Sequence, residues 1–156
     1  MEEEFFQHCR LANLKGVNDC LSRGVDVNTI TRNWSGSQMS GLMVACERGN
    51  SAIMSRLVQV PGLDINYQDR CGLTAAHLAS MRGHTECVRI LAETGRVDWY
   101  KAGSWYKSGW TPLYCAVSYG HIEIVDIIMD LGLGLHSAAG GRKSSNKETT
   151  TCCLIL

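Results

Sequence analysis

The chain has 156 residues, 45% hydrophobic and 19% charged, with only two prolines, which suits one folded domain with a sizeable core and excludes a disordered polypeptide. Fifteen Lys and Arg balance fifteen Asp and Glu, so no long-range field draws the chain to phosphate, and nucleic acid is excluded as the main partner. The most apolar stretch, Ile122 to Leu135, is cut by Glu123, Asp126 and Asp130, which excludes a membrane span.

In chain order, four stretches repeat one pattern. The first turns at Ala12-Asn13, and the apolar pairs Gly16-Val17 and Cys20-Leu21 then stand four residues apart, as on one face of a helix. Glycine stops it at Arg23-Gly24, and Val25-Asp26-Val27-Asn28 leads on. The second begins at Ser40-Gly41-Leu42-Met43-Val44-Ala45, where serine can accept from the free amides of a first helical turn. It turns at Gly49-Asn50, resumes with Ile53-Met54 and Leu57-Val58, and stops at Pro61-Gly62 before Leu63-Asp64-Ile65-Asn66.

The third runs from Thr74-Ala75-Ala76-His77-Leu78-Ala79 through Gly83-His84, Cys87-Val88 and Leu91-Ala92 to Thr94-Gly95 and Val97-Asp98-Trp99-Tyr100. The fourth opens at Thr111-Pro112-Leu113-Tyr114-Cys115-Ala116, with proline where a first helical turn tolerates it, and continues through Gly120-His121, Ile124-Val125 and Ile128-Met129. The turn pairs are 37, 34 and 37 residues apart. Each unit is thus a short helix, a tight turn, a second helix and an extended finger. Neither helix can bury its apolar face alone, so the units must stack into a linear solenoid.

Over roughly residues 5 to 131 this pattern resembles the ankyrin repeat family, most closely at Thr111-Pro112-Leu113 and Gly120-His121-Ile122-Glu123-Ile124-Val125. The resemblance implies an all-α repeat solenoid of stacked helix-turn-helix ankyrin repeats joined by β-turn fingers. Residues 1–135 are expected to form the repeat domain, with repeats at about 5–32, 33–66, 67–100 and 101–135, the first an N-terminal half-cap, and residues 136–156 a flexible tail. Two departures stand out. Ser40-Gly41-Leu42-Met43 replaces the family's Thr-Pro-Leu-His, and Tyr100 replaces the Asn that closes the finger, so local capping is expected to weaken at both. Extra residues around Thr31 to Gln38 and Ser104 to Ser108 lengthen two fingers.

Cys9, Cys20, Cys46, Cys87 and Cys115 all replace small apolar residues of the repeat, and their spacing matches no zinc pattern. They are read as packing residues, which implies a reducing, cytoplasmic setting. The resemblance makes His84 and His121 turn histidines, and His77 a helix-start histidine tying neighbouring repeats together. No nucleophile–base pair, metal or cofactor motif emerges, so no catalytic residue, metal or cofactor is expected.

Five of the nine Trp and Tyr residues fall between Trp99 and Trp110. Trp99 reads as satellite core, whereas Trp105, Tyr106 and Trp110 lie at or beside a finger tip and are expected to contact protein. The family binds partner proteins along finger tips and first helices. Carried over by register, Met39, Arg48, Arg70, Leu73, Met81, Arg82, Trp105, Tyr106, Trp110 and Tyr119 become the expected protein-binding positions of a non-catalytic adaptor.

The chain closes on Cys152-Cys153-Leu154-Ile155-Leu156. Its last four residues resemble a prenylation box, giving the alternative of a membrane-tethered adaptor geranylgeranylated at Cys153, with Cys152 a second lipidation site. A blander account makes this ending an accident of the reading frame, since Ile127, Ile128 and Leu131 lack a following repeat.

Overall fold

The computed structural model describes residues 1–32, 36–103 and 109–137, with 133–137 as helix backbone only. Its elements are α1 (Glu2–Arg10), α2 (Leu14–Ser22), β1 (Ile30–Arg32), β2 (Gln38–Ser40), α3 (Gly41–Arg48), α4 (Ser51–Leu57), α5 (Ala75–Arg82), α6 (Thr85–Glu93), α7 (Pro112–Ser118) and α8 (Ile122–Ser137). The odd-numbered helices form one row, α1 on α3 on α5 on α7, and the even-numbered helices a second row behind it. The core is the continuous seam between these rows, from Phe5 and Phe6 through Met43, Ile53, Met54, Leu57, Val88 and Leu91 to Ile124.

Local chemistry explains the helix boundaries. The Ser40, Thr74 and Thr111 side chains each accept from the amide three residues on, satisfying a donor with no intrahelical partner. At the other end Gly49 and Gly83 adopt φ of 73° and 75°, where a side chain would be strained. They also leave room for a neighbour, because a Cβ would meet the His84 ring at Gly49 and the His121 ring at Gly83. Each ring thus sits on the turn of the preceding repeat. From there His84 Nε2–H donates to the Glu47 carbonyl and His121 Nε2–H to the Met81 carbonyl, both at 3.2 Å. Asn50 does the equivalent job one repeat earlier, donating to the Cys9 carbonyl at 2.6 Å.

A second ladder joins the finger bases. Asn28 Nδ2 donates to the Gly62 carbonyl and Oδ1 accepts from the Asp64 amide, both at 2.8 Å. Asn66 repeats the pair on the Arg96 carbonyl and the Asp98 amide at 2.9 and 2.8 Å. Tyr100 holds the next register position, is 73% exposed and, among the described residues, continues neither bond. Beyond it α8 runs straight past Gly132 to Ser137, and the aromatic hydroxyl lies against Gly132.

The Gly41 departure has a packing cause: a Cβ there would lie 2.6 Å from the Phe5 ring, so glycine admits the aromatic anchor of the first repeat. The lengthened finger before α3 folds as an antiparallel hairpin in which Thr31 faces Met39. Cys9, Cys20, Cys46, Cys87 and Cys115 are buried free thiols, as packing residues should be. Burial pushes Cys9 up to about 12, helped by nearby Cys20, and pushes Cys87 and Cys115 up to about 11. At pH 8 these three should therefore resist iodoacetamide until the protein unfolds, while half-buried Cys71 reacts first among the described cysteines. Peptide mapping across a urea series checks this.

Candidate interaction surface

The residue just before each turn glycine is exposed in three successive repeats, as Arg48, Arg82 and Tyr119. Their spacing follows from the turn: Arg48 and Arg82 are the last helical residues before the C-cap glycines Gly49 and Gly83, and Tyr119, the C-cap of α7, stands at the same register before Gly120. Arg82 Nη2 donates to Glu47 Oε1 at 3.2 Å, linking adjacent repeats, and the Tyr119 ring stacks on His121 with centroids 6.5 Å apart. At a finger tip Arg70 is exposed and donates to Gln38 Oε1 at 3.4 Å. Met81 is half-buried beside this row. The arrangement is a shallow cationic and aromatic stripe, suited to carboxylates and planar groups.

Two expected surface residues are corrected. Met39 is 4% and Leu73 7% exposed, so neither offers a contact. Met39 points inward from β2, and the base of the following finger lies over Leu73, where a Cβ on Gly103 would be 3.1 Å from Leu73 Cδ2. Trp110 is half-buried: its carbonyl accepts from His77 Nε2–H at 2.8 Å and its ring meets Tyr114 edge-on at 4.8 Å. It braces the finger as well as flanking the stripe. Trp105, Tyr106, Cys152 and Cys153 lie outside the described residues.

Folding also brings together groups that spacing did not pair. The ligand atoms of Glu4, His8 and Cys20 lie within 4.8 Å of one another. Glu4 already faces the Arg23 guanidinium at 3.4 Å, and the His8 Nδ1 faces Asn13 Nδ2 at 3.2 Å, so two of the three donors have partners of their own. Their proximity depends on α1 packing on α2, which no motif encodes. A depression between α4 and α6 is lined by Ser55, Val58, Ile90, Thr94 and Arg96 among others. Two of its polar groups are spent structurally, the Thr94 hydroxyl on the Leu91 carbonyl and the Arg96 guanidinium on the Val58 carbonyl. No helix among the described residues is long and apolar enough to cross a membrane.

Stacked helix-turn-helix units, fingers between them and a stripe across first helices define a repeat-solenoid binding module. The Ankyrin repeats (3 copies) family model matches residues 42–139, well over half the chain. The chain belongs to the ankyrin repeat family, whose domains are generally non-catalytic protein-interaction modules. It is 33% identical over 115 residues to the SMC5-SMC6 complex localization factor protein 1 of Bos taurus, covering 73% of this chain and 10% of that protein. It is 32% identical over 140 residues to the E3 ubiquitin-protein ligase XBAT32 of Arabidopsis thaliana, covering 74% and 27%. With the Photoreceptor ankyrin repeat protein of Homo sapiens it shares 44% over 52 residues, 33% of this chain and 12% of that one. The chain thus spans only a small part of the length of these relatives.

Proposed function

We propose that this protein is a cytoplasmic, non-catalytic adaptor that holds an acidic segment of a partner protein along the stripe of Arg48, Arg82 and Tyr119, with Arg70 and Met81 beside it. The observation that carries this is the exposure of Arg48, Arg82 and Tyr119 at one register position in three successive repeats, in a chain whose net charge is zero. Arginine and tyrosine are enriched where interfaces draw their energy. A reducing compartment suits the buried free thiols.

The double change Arg48→Glu and Arg82→Glu should weaken partner binding by at least about tenfold, roughly 1.4 kcal/mol, with the melting temperature lowered only slightly, because the Arg82–Glu47 pair it breaks is an exposed one. Affinity purification with quantitative mass spectrometry, comparing wild type and variant, reads the loss. An unchanged set of captured proteins would remove the stripe from the interface.

A further inference from the structure

The first repeat departs from the later ones at three positions that face one another. Where it has Glu4, His8 and Cys20, the second repeat carries Gly41, Ala45 and Leu57 and the third Ala75, Ala79 and Leu91, all of them buried and none with a metal-binding side chain. Solvent beside the first repeat accounts for the exposed Glu4. It does not account for a half-buried imidazole or for Cys20, which is 1% exposed.

Glu4 and His8 stand four residues apart on α1, and Gly16 and Cys20 four apart on α2, so each pair lies on one helix face. The two helices pack together, and Gly16 sets how closely: a Cβ there would overlap the His8 ring, so glycine lets the imidazole lie across α2 one turn from Cys20. The ligand atoms of all three residues then fall within 4.8 Å of one another. Glu4 faces Arg23 with Oε2 at 3.4 Å and His8 Nε2 with Oε1 at 3.9 Å. Asn13 Nδ2–H donates to His8 Nδ1 at 3.2 Å, which leaves Nε2 on the side of the carboxylate. Among the described residues the buried Cys20 thiol has no hydrogen-bond partner.

We infer that Glu4, His8 and Cys20 form a zinc site that ties α1 to α2, with the fourth tetrahedral position left to water. A carboxylate oxygen, an imidazole nitrogen and a thiolate are the borderline donor set that zinc takes, whereas calcium and magnesium take oxygen alone. Zinc bonds of about 2.0 to 2.3 Å place tetrahedral ligands roughly 3.5 Å apart, so the cluster closes by about an ångström of side-chain rotation, chiefly at exposed Glu4. On binding, the Cys20 thiol proton leaves to solvent. The His8 ring proton passes from Nε2 to Nδ1, where the Asn13 side chain turns its oxygen to accept it and gives up the bond from the Gly16 amide. Thiolate and carboxylate balance the dication, so Arg23 can keep its place at Glu4 Oε2. The site uses none of Arg48, Arg82 and Tyr119 and does not rest on their role.

Cobalt(II) is the probe, because it takes the place of zinc and shows a near-ultraviolet charge-transfer band only when sulfur is bound. The full chain is used with Cys152→Ser and Cys153→Ser, so that these adjacent thiols cannot compete. Cobalt should give that band together with the intense visible absorption of a tetrahedral centre, saturating at one equivalent, and zinc should displace it with a Kd below about 1 μM. Cys20→Ala should abolish the band. Glu4→Gln, an exposed change that leaves the repeat folded by circular dichroism, should weaken zinc binding at least about tenfold. At free zinc about 100 times Kd, amide exchange in α1 and α2 should slow by up to about a hundredfold. Absence of a saturable band, a band that survives Cys20→Ala, or zinc affinity indifferent to Glu4→Gln overturns the inference and leaves the three side chains as a polar face of the first repeat.

Discussion

Replacing His77 with alanine should cost about 3 kcal/mol of stability, read as a lower urea midpoint with the slope unchanged. The ring is fully buried and holds two elements at once. Its Nδ1 accepts from the Thr74 amide at 3.1 Å, completing a capping box at the start of α5. Its Nε2–H reaches across 33 positions to the Trp110 carbonyl at the base of the next finger. Alanine would orphan both partners and leave a cavity between α5 and α7. At Tyr114, the same register position, alanine should cost under about 1 kcal/mol, because the side chain is 51% exposed.

The same imidazole predicts an acid limb. Burial holds the His77 pKa below its ordinary 6.5, only partly offset by the Trp110 carbonyl. The unfolded chain therefore binds this proton more readily than the folded one. The contribution of His77 is present in full above pH 6.5 and is lost as pH falls through the lower folded-state value. Urea midpoints measured downward from pH 7.5 should fall, and His77→Gln, neutral throughout, should flatten that limb while lowering stability at pH 7.5.

The second large effect is expected at Gly83. Alanine there meets two penalties: φ of 75°, and a Cβ 2.5 Å from the His121 ring, which would have to leave the Met81 carbonyl. A loss of about 2 to 3 kcal/mol follows. Gly95→Ala is the internal control, since φ is 62° but nothing lies within 4 Å, so only the backbone term of about 1 kcal/mol remains. Equal losses at the two sites would show that the His121 contact contributes nothing.

Helix starts, turns and stops were legible because each is local. Thr74 with His77 three residues on, and Gly83 before His84, state their geometry within one turn of chain. Arg48, Arg82 and Tyr119 were legible as exposed for the same reason, their place fixed relative to a glycine. Met39 and Leu73 were not, because their burial is decided elsewhere: by a hairpin whose three-residue strands are too short to show alternation, and by Gly103 arriving from another finger. The apolar residues of α8 do not mark the exposed edge. Ile128 is 6% exposed and Ile127 and Leu131 are half-buried; the exposed face belongs instead to Tyr114 and Val117 on α7. Gly41 signals only a weakened cap within its own turn of chain, because the Phe5 ring that occupies the place of its Cβ comes from 36 positions earlier.

Where the asparagine ladder ends at Tyr100, the stack acquires a direction of unravelling. Each inner repeat is clamped on both sides, by carbonyls that receive an imidazole or amide and by an asparagine bridging finger bases, but among the described residues the last repeat has a neighbour on one side only and no asparagine bridge follows at Tyr100. In a chain of nearest-neighbour couplings such a unit opens at the lowest free energy. Amide exchange should therefore be fastest in α7 and α8 and slow progressively toward α3, a gradient running against the order of synthesis. Any ligand that seats on the final unit then tightens the whole array, since opening from that end would first require its release. Occupancy of one edge would be felt as the lifetime of the entire protein.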